Sequence, residues 1–103
     1  MTASPDLDPV IHAQARLRVM VALTELDEAA QISFPRLQEI LGMTAGNLST
    51  HLRKLEDAGY VAIVKTHEGR SPVTFLSPTP LGRRAFEEYT ARLRILLDGA
   101  EYS

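Results

Sequence analysis

Apolar positions along this chain change period twice, and each change marks a boundary between elements. Residues 1–8 show no period and read as a flexible N-terminal arm. Asp8-Pro9 then pairs a capping acceptor with a first-turn proline, which predicts a helix from Pro9 to about Leu26. Val10 opens that helix. Ala13, Leu17, Met20, Val21 and Thr24 follow one line along it, while Val19, Leu23 and Leu26 widen the apolar surface. So broad a surface calls for cover on more than one side. A second subunit is the expected cover, and burial in the domain's own core is the alternative.

Asp27 to Gln31 reads as a loop and Ile32-Ser33 as a very short strand. Ser33 and Pro35 start a short helix that ends at Leu41, with Leu37, Ile40 and Leu41 on its buried side and Gly42 as its stop. Met43-Thr44 makes a tight turn into a further helix. Thr44 caps it, Leu48, Leu52 and Leu55 form its apolar stripe, and Gly59 ends it. Its opposite face carries only Ala45, Gly46, Ser49, Thr50 and Arg53, with Asn47 at the side. From Tyr60 the period becomes that of strands. Tyr60–Lys65 and Pro72–Ser77 form a hairpin around a loop at Thr66–Ser71, longer than the tightest turn. Thr79-Pro80 starts the last helix, which runs to Leu97 or Asp98. Leu81, Ala85, Tyr89, Leu93 and Leu96 recur along it, flanked by Phe86, Ile95 and Leu97. Arg83, Arg84, Arg92 and Arg94 are expected to pair with Glu87 and Glu88 on its outer side. Residues 99–103 are left as a C-terminal tail, so one domain spans 9–98.

Composition changes this picture little. A chain of 103 residues supports one domain, and its 45% hydrophobic and 23% charged content is that of a globular protein. The absence of cysteine excludes disulfides, thiolate metal sites and a thiol nucleophile. No apolar run approaches a membrane span, and the start MTASPDLDPV has no signal-peptide character, so a cytoplasmic location is expected. The net charge of −2 is not that of a strongly basic nucleic-acid binder. Distribution matters more, because salt confines a charge's reach to roughly 10 Å. Acidic residues crowd the first third, whereas Arg53, Lys54, Lys65 and Arg70 lie in the middle among Glu56, Asp57 and Glu68. Any basic patch must therefore be made by folding.

Helix, short strand, helix, turn, helix, hairpin, helix is the order of a winged helix domain, an α+β fold that is mostly α. The run from Ile32 through Leu76 resembles the MarR- and ArsR-like bacterial transcriptional regulators, and most closely their small single-domain winged helix members. The resemblance rests on Phe34-Pro35-Arg36-Leu37, Leu41-Gly42-Met43-Thr44, Asn47-Leu48-Ser49, His51-Leu52-Arg53-Lys54-Leu55-Glu56 and Ala58-Gly59-Tyr60-Val61. It continues through Lys65–Thr74 and Leu76-Ser77-Pro78-Thr79-Pro80-Leu81-Gly82. It implies sequence-specific binding of double-stranded DNA by a homodimer joined through the first and last helices. Val10, Leu17, Val21, Phe86, Tyr89, Leu93, Leu96 and Leu97 are then the expected dimer contacts. The chain departs from the MarR pattern in its shorter terminal helices and from ArsR metal sensors in having no cysteine ligands. No metal or cofactor is implied, and a small-molecule effector stays unassigned.

The helix from Thr44 onward is the expected reading element. At 1.5 Å per residue it is about 20 Å long, and the major groove is about 12 Å wide, so its N-terminal half can enter. Gly46 costs about 1 kcal/mol of helix propensity relative to alanine. It either lets the backbone approach DNA or eases the turn, and the first reading is favoured. Ser49, Thr50 and Asn47 can exchange hydrogen bonds with bases or phosphates, and Arg53 can grip guanine with two bonds. Thr44, Ala45 and Lys54 complete the contact set. Lys65, His67 and Arg70 mark the wing for the minor groove or its phosphates, and Arg36 is a further phosphate contact. An enzyme is not expected, since His12, His51 and His67 lie on separate elements and no nucleophile or phosphate-loop motif appears. The leading expectation is a transcriptional repressor on a palindromic operator. The alternative is a winged helix module that binds protein rather than specific DNA.

Overall fold

The computed structural model describes residues 6–99. Four helices and three strands follow in the order α1 (Gln14–Thr24), β1 (Ile32–Ser33), α2 (Phe34–Leu41), α3 (Ala45–Asp57), β2 (Val61–Glu68), β3 (Ser71–Pro78) and α4 (Pro80–Gly99). The strands form one antiparallel sheet in the order β1-β3-β2. This is the winged helix architecture expected from the pattern.

Local chemistry sets most of the boundaries. Ser33 Oγ accepts from the Arg36 N–H at 3.3 Å and Thr44 Oγ1 from the Asn47 N–H at 3.1 Å, so each caps its helix. Gly42 (φ +65°) and Gly59 (φ +83°) take the left-handed conformation that ends α2 and α3. At the end of α3 the Gly59 N–H bonds the Glu56 carbonyl and the Tyr60 N–H bonds the Leu55 carbonyl, a Schellman closure.

The first helix starts later than predicted. Asp8 does cap, with Oδ1 accepting from the Val10 N–H at 2.8 Å, but only a single turn follows. The Pro9 and Val10 carbonyls are taken by the Arg16 guanidinium, and Ala13 is extended at φ −146°. Ile11, fully buried in that turn, joins a core of Val19, Met20, Leu23, Leu37, Leu41, Leu48, Leu52, Leu55, Val61, Leu76 and Tyr89. Leu7 packs against this core and Asp8 accepts from the Tyr60 hydroxyl, so neither belongs to a free arm. That bond, with partial burial and the nearby Asp8 and Glu88 charges, raises the Tyr60 phenol to about 12. Residues 1–5 of the expected arm and 100–103 of the expected tail lie outside the described residues.

Four further expectations are corrected. The breadth of the apolar surface on α1 is explained inside the chain: Val19, Met20 and Leu23 are buried by α2, α3, α4 and β3, and only Val21 stays exposed. Tyr89, expected between subunits, is 2% exposed in the single chain and its hydroxyl lies 2.9 Å from His12 Nδ1. Ile40 is 49% exposed rather than buried, because α2 turns Phe34, Leu37 and Leu41 to the core and Ile40 away from it. On α4, among the described residues, only Arg92 pairs with a glutamate (Glu88). Arg83 instead donates to the Thr24 and Leu26 carbonyls and closes the end of α1.

The corner between α3 and α4 is the tightest joint. Thr79 Oγ1 donates to the Gly59 carbonyl and accepts from the Gly82 N–H, while the Thr79 N–H bonds the Tyr60 carbonyl at 3.0 Å. A Cβ on Gly82 would stand 2.0 Å from the Tyr60 carbonyl oxygen. Helix α4 can approach only because residue 82 has no side chain.

Candidate nucleic-acid interface

Helix α3 is held from behind by Leu48, Leu52 and Leu55, all 2% exposed or less. That anchoring turns Ala45, Gly46, Asn47, Ser49, Thr50, Arg53 and Lys54 outward, and all seven are exposed. The Asn47, Ser49 and Arg53 side chains make no hydrogen bond to other described residues, so their donors and acceptors are free. Thr50 differs, because its hydroxyl donates to the Gly46 carbonyl at 3.0 Å and presents only acceptor lone pairs and a methyl group outward. Nothing lies within 4 Å of where a Gly46 Cβ would point, and its backbone is helical. The fold itself gives no reason for glycine there.

The wing is tighter than predicted. Glu68 pairs with Ser71, leaving a two-residue turn of Gly69 (φ +64°) and Arg70. One positive φ at the first central position is the type II′ pattern, whose twist suits a hairpin. The register then sorts charges by face. Lys65 lies opposite Thr74 and His67 opposite Pro72, on the sheet face shared by Ile63 and Leu76; Glu68 falls on the reverse face. Arg70 is at the tip.

Helix and wing together frame a trough of about 420 Å³ lined by Phe34, Ser49, Leu52, Arg53, Glu56, Ile63, Lys65, Thr74 and Leu76. Its floor is apolar, and its rims carry two cations, two hydroxyls and one carboxylate. Ser49, Arg53 and Glu56 form one ridge on the helix side, at the i, i+4, i+7 spacing of a single face. Of the residues expected at the site, the structure gathers Ser49, Arg53 and Lys65 here. Lys54 lies outside the trough, sharing a neighbouring hollow with Ser49, Thr50, Arg53 and Asp57 and also bordering the flank with Arg16. Arg36 lies on α2 in an exposed ion pair with Glu39, whose small stability lets the guanidinium exchange partners.

Sequence reasoning passed over Thr74, Glu56 and Arg16. Counting back from a two-residue turn would have placed Thr74 opposite Lys65, and the heptad step from Ser49 leads to Glu56. Arg16 supports α3 from behind, its Nη1 3.5 Å from His51 Nδ1. Burial, then the charges of Arg16 and Lys54, lower the His51 pKa and keep the ring neutral at neutral pH. Among the described residues no three His, Cys, Asp or Glu side chains converge on a possible metal position, and no helix is long and apolar enough to cross a membrane.

Comparison with known proteins places this geometry. Residues 15–97 match the family described as "Winged helix DNA-binding domain". An uncharacterized protein from Methanocaldococcus jannaschii is 32% identical over 80 residues, covering 78% of this chain and 84% of that protein. A solved transcriptional regulator homologue from Pyrococcus horikoshii OT3 superposes with a TM-score of 0.79 at 28% identity, covering 88% of this chain and 87% of the other. A MarR family regulator from Enterococcus faecalis V583 shares the fold at 21% identity, with a TM-score of 0.73 over 90% of this chain and 81% of its own. The chain belongs to the winged helix DNA-binding domain family, and it is a DNA-binding transcription regulator rather than an enzyme.

Proposed function

We propose that the protein is a homodimeric repressor that binds a palindromic operator, with α3 in the major groove and the β2–β3 wing at the minor groove. The observation that carries this reading is the outward face of α3. It is a fixed helix surface of small residues with free amide, hydroxyl and guanidinium groups beside a hairpin with Lys65 and Arg70. Such a face fits direct readout of base edges, with phosphate contacts setting the register. Pairing is supported by the outer half of α4, where Ile95 is 58% and Leu97 62% exposed and nothing among the described residues covers them. Two copies would place their half-sites about 34 Å apart, one helical turn. Occupying DNA is the effect such a surface is built for, and a dimer seated across a promoter represses by excluding other proteins from it.

The test is selection of bound fragments from the source genome, followed by gel shifts with Arg53→Ala. A palindromic consensus is expected, and Arg53→Ala should weaken its binding by about 1–3 kcal/mol, with unfolding temperature unchanged. Selection that yields no sequence, together with capture of a protein partner by the same face, would favour the protein-contact reading instead. Unaltered operator affinity in Arg53→Ala would remove that residue from the reading set.

A further inference from the structure

We propose that Glu56 limits the affinity of this protein for DNA, acting as a carboxylate set against the phosphodiester strand. The inference rests on the docking reading above, with α3 in the major groove and the wing at the minor groove. Adjacent grooves are separated by one sugar-phosphate strand. A helix in one groove and a hairpin in the next therefore leave that strand lying over the trough between them. Arg53, Lys65, Ser49 and Thr74 offer cations and hydroxyls to its phosphates, and Glu56 offers the opposite charge from the same ridge of α3. Glu56 is exposed and pairs with no cation among the described residues, so neither Arg53 nor Lys65 neutralises it within the chain. Asp57, next in sequence, does not line the trough and stays away from Lys65; it borders a separate hollow with Ser49, Thr50, Arg53 and Lys54, and the flank with Arg16. The two neighbouring carboxylates thus face different surroundings.

The experiment compares the full chain with Glu56→Gln and Asp57→Asn, measuring binding to a random-sequence duplex and to the best genomic fragment across a salt series. Glutamine keeps the size and helix propensity of Glu56, and equal unfolding temperatures check the fold. Glu56→Gln should bind both duplexes about 1.5- to 5-fold more tightly per subunit at low salt, the range of single exposed charge pairs. Its plot of log K against log salt should steepen by up to about 0.9 per subunit, because one more phosphate contact displaces its counterion. Asp57→Asn should gain clearly less. Equal gains in the two variants, or none in Glu56→Gln, would overturn the inference. So would loss of binding to the genomic fragment alone, which would make Glu56 a base-reading residue. Wild-type protein that bound neither duplex would instead overturn the DNA reading beneath it.

Discussion

An alanine at position 46 would meet no atom within 4 Å, and the backbone there is already helical. Gly46→Ala should therefore raise the stability of the isolated protein, by up to about 1 kcal/mol. If the bare first turn exists to bring the backbone of α3 against DNA, the same methyl group should weaken operator binding. Denaturant unfolding and gel shifts on one preparation measure both. A variant that is more stable and binds unchanged would mean that Gly46 only eases the turn. Residue-level features of this kind were largely legible in the sequence. Ser33, Thr44, Gly42 and Gly59 act on backbone groups within a few residues, so their roles follow from neighbours along the chain. Tyr89 was not legible, because a helical stripe is the same whether its own core or another subunit covers it. The wing turn was missed for a related reason: Thr66, His67, Glu68 and Ser71 are exposed, so no alternation marks the pairing there.

Elements meet through a few obligatory contacts, and the joint at Gly82 is the strictest. Its Cβ position, 2.0 Å from the Tyr60 carbonyl oxygen, leaves no room for even one methyl group. Gly82→Ala should cost about 3 kcal/mol, at the upper end of overpacking penalties, because backbone rather than a flexible side chain would have to yield. Thermal unfolding measures it, and a loss below about 1 kcal/mol would show that α4 can back away freely. In the sequence Gly82 is only part of the run leading into the last helix. The need for glycine comes from Tyr60, 22 positions earlier, and no local rule connects the two. The first helix shows the converse. Asp8-Pro9 is a sound local start, and it fails to propagate because Arg16 takes the carbonyls that the next turn would need.

At the scale of the molecule the described residues span 59 × 26 × 21 Å, and no residue of α4 beyond Tyr89 is buried. Leu93 and Leu96 are half-covered there and Leu97 and Ile95 are open, which is apolar surface out of place on a lone chain. The dimer proposal therefore leans on α4 and not on α1, whose apolar residues the fold uses itself. Leu97→Glu should weaken self-association by at least about 1 kcal/mol while leaving the core intact, read by light scattering over a concentration series. Wild-type protein that stayed monomeric at micromolar concentration would sink the homodimer.

The Thr79 corner has a mechanical consequence. Its hydroxyl and amide tie the two carbonyls that follow α3 to the first turn of α4, so the start of α4 cannot shift without pulling on the end of α3. Helix α4 is about 30 Å long. A displacement of about 5 Å at its free end is about 10° at the corner, and in the proposed docking any part of it that reached α3 would move the leading turn against the bases.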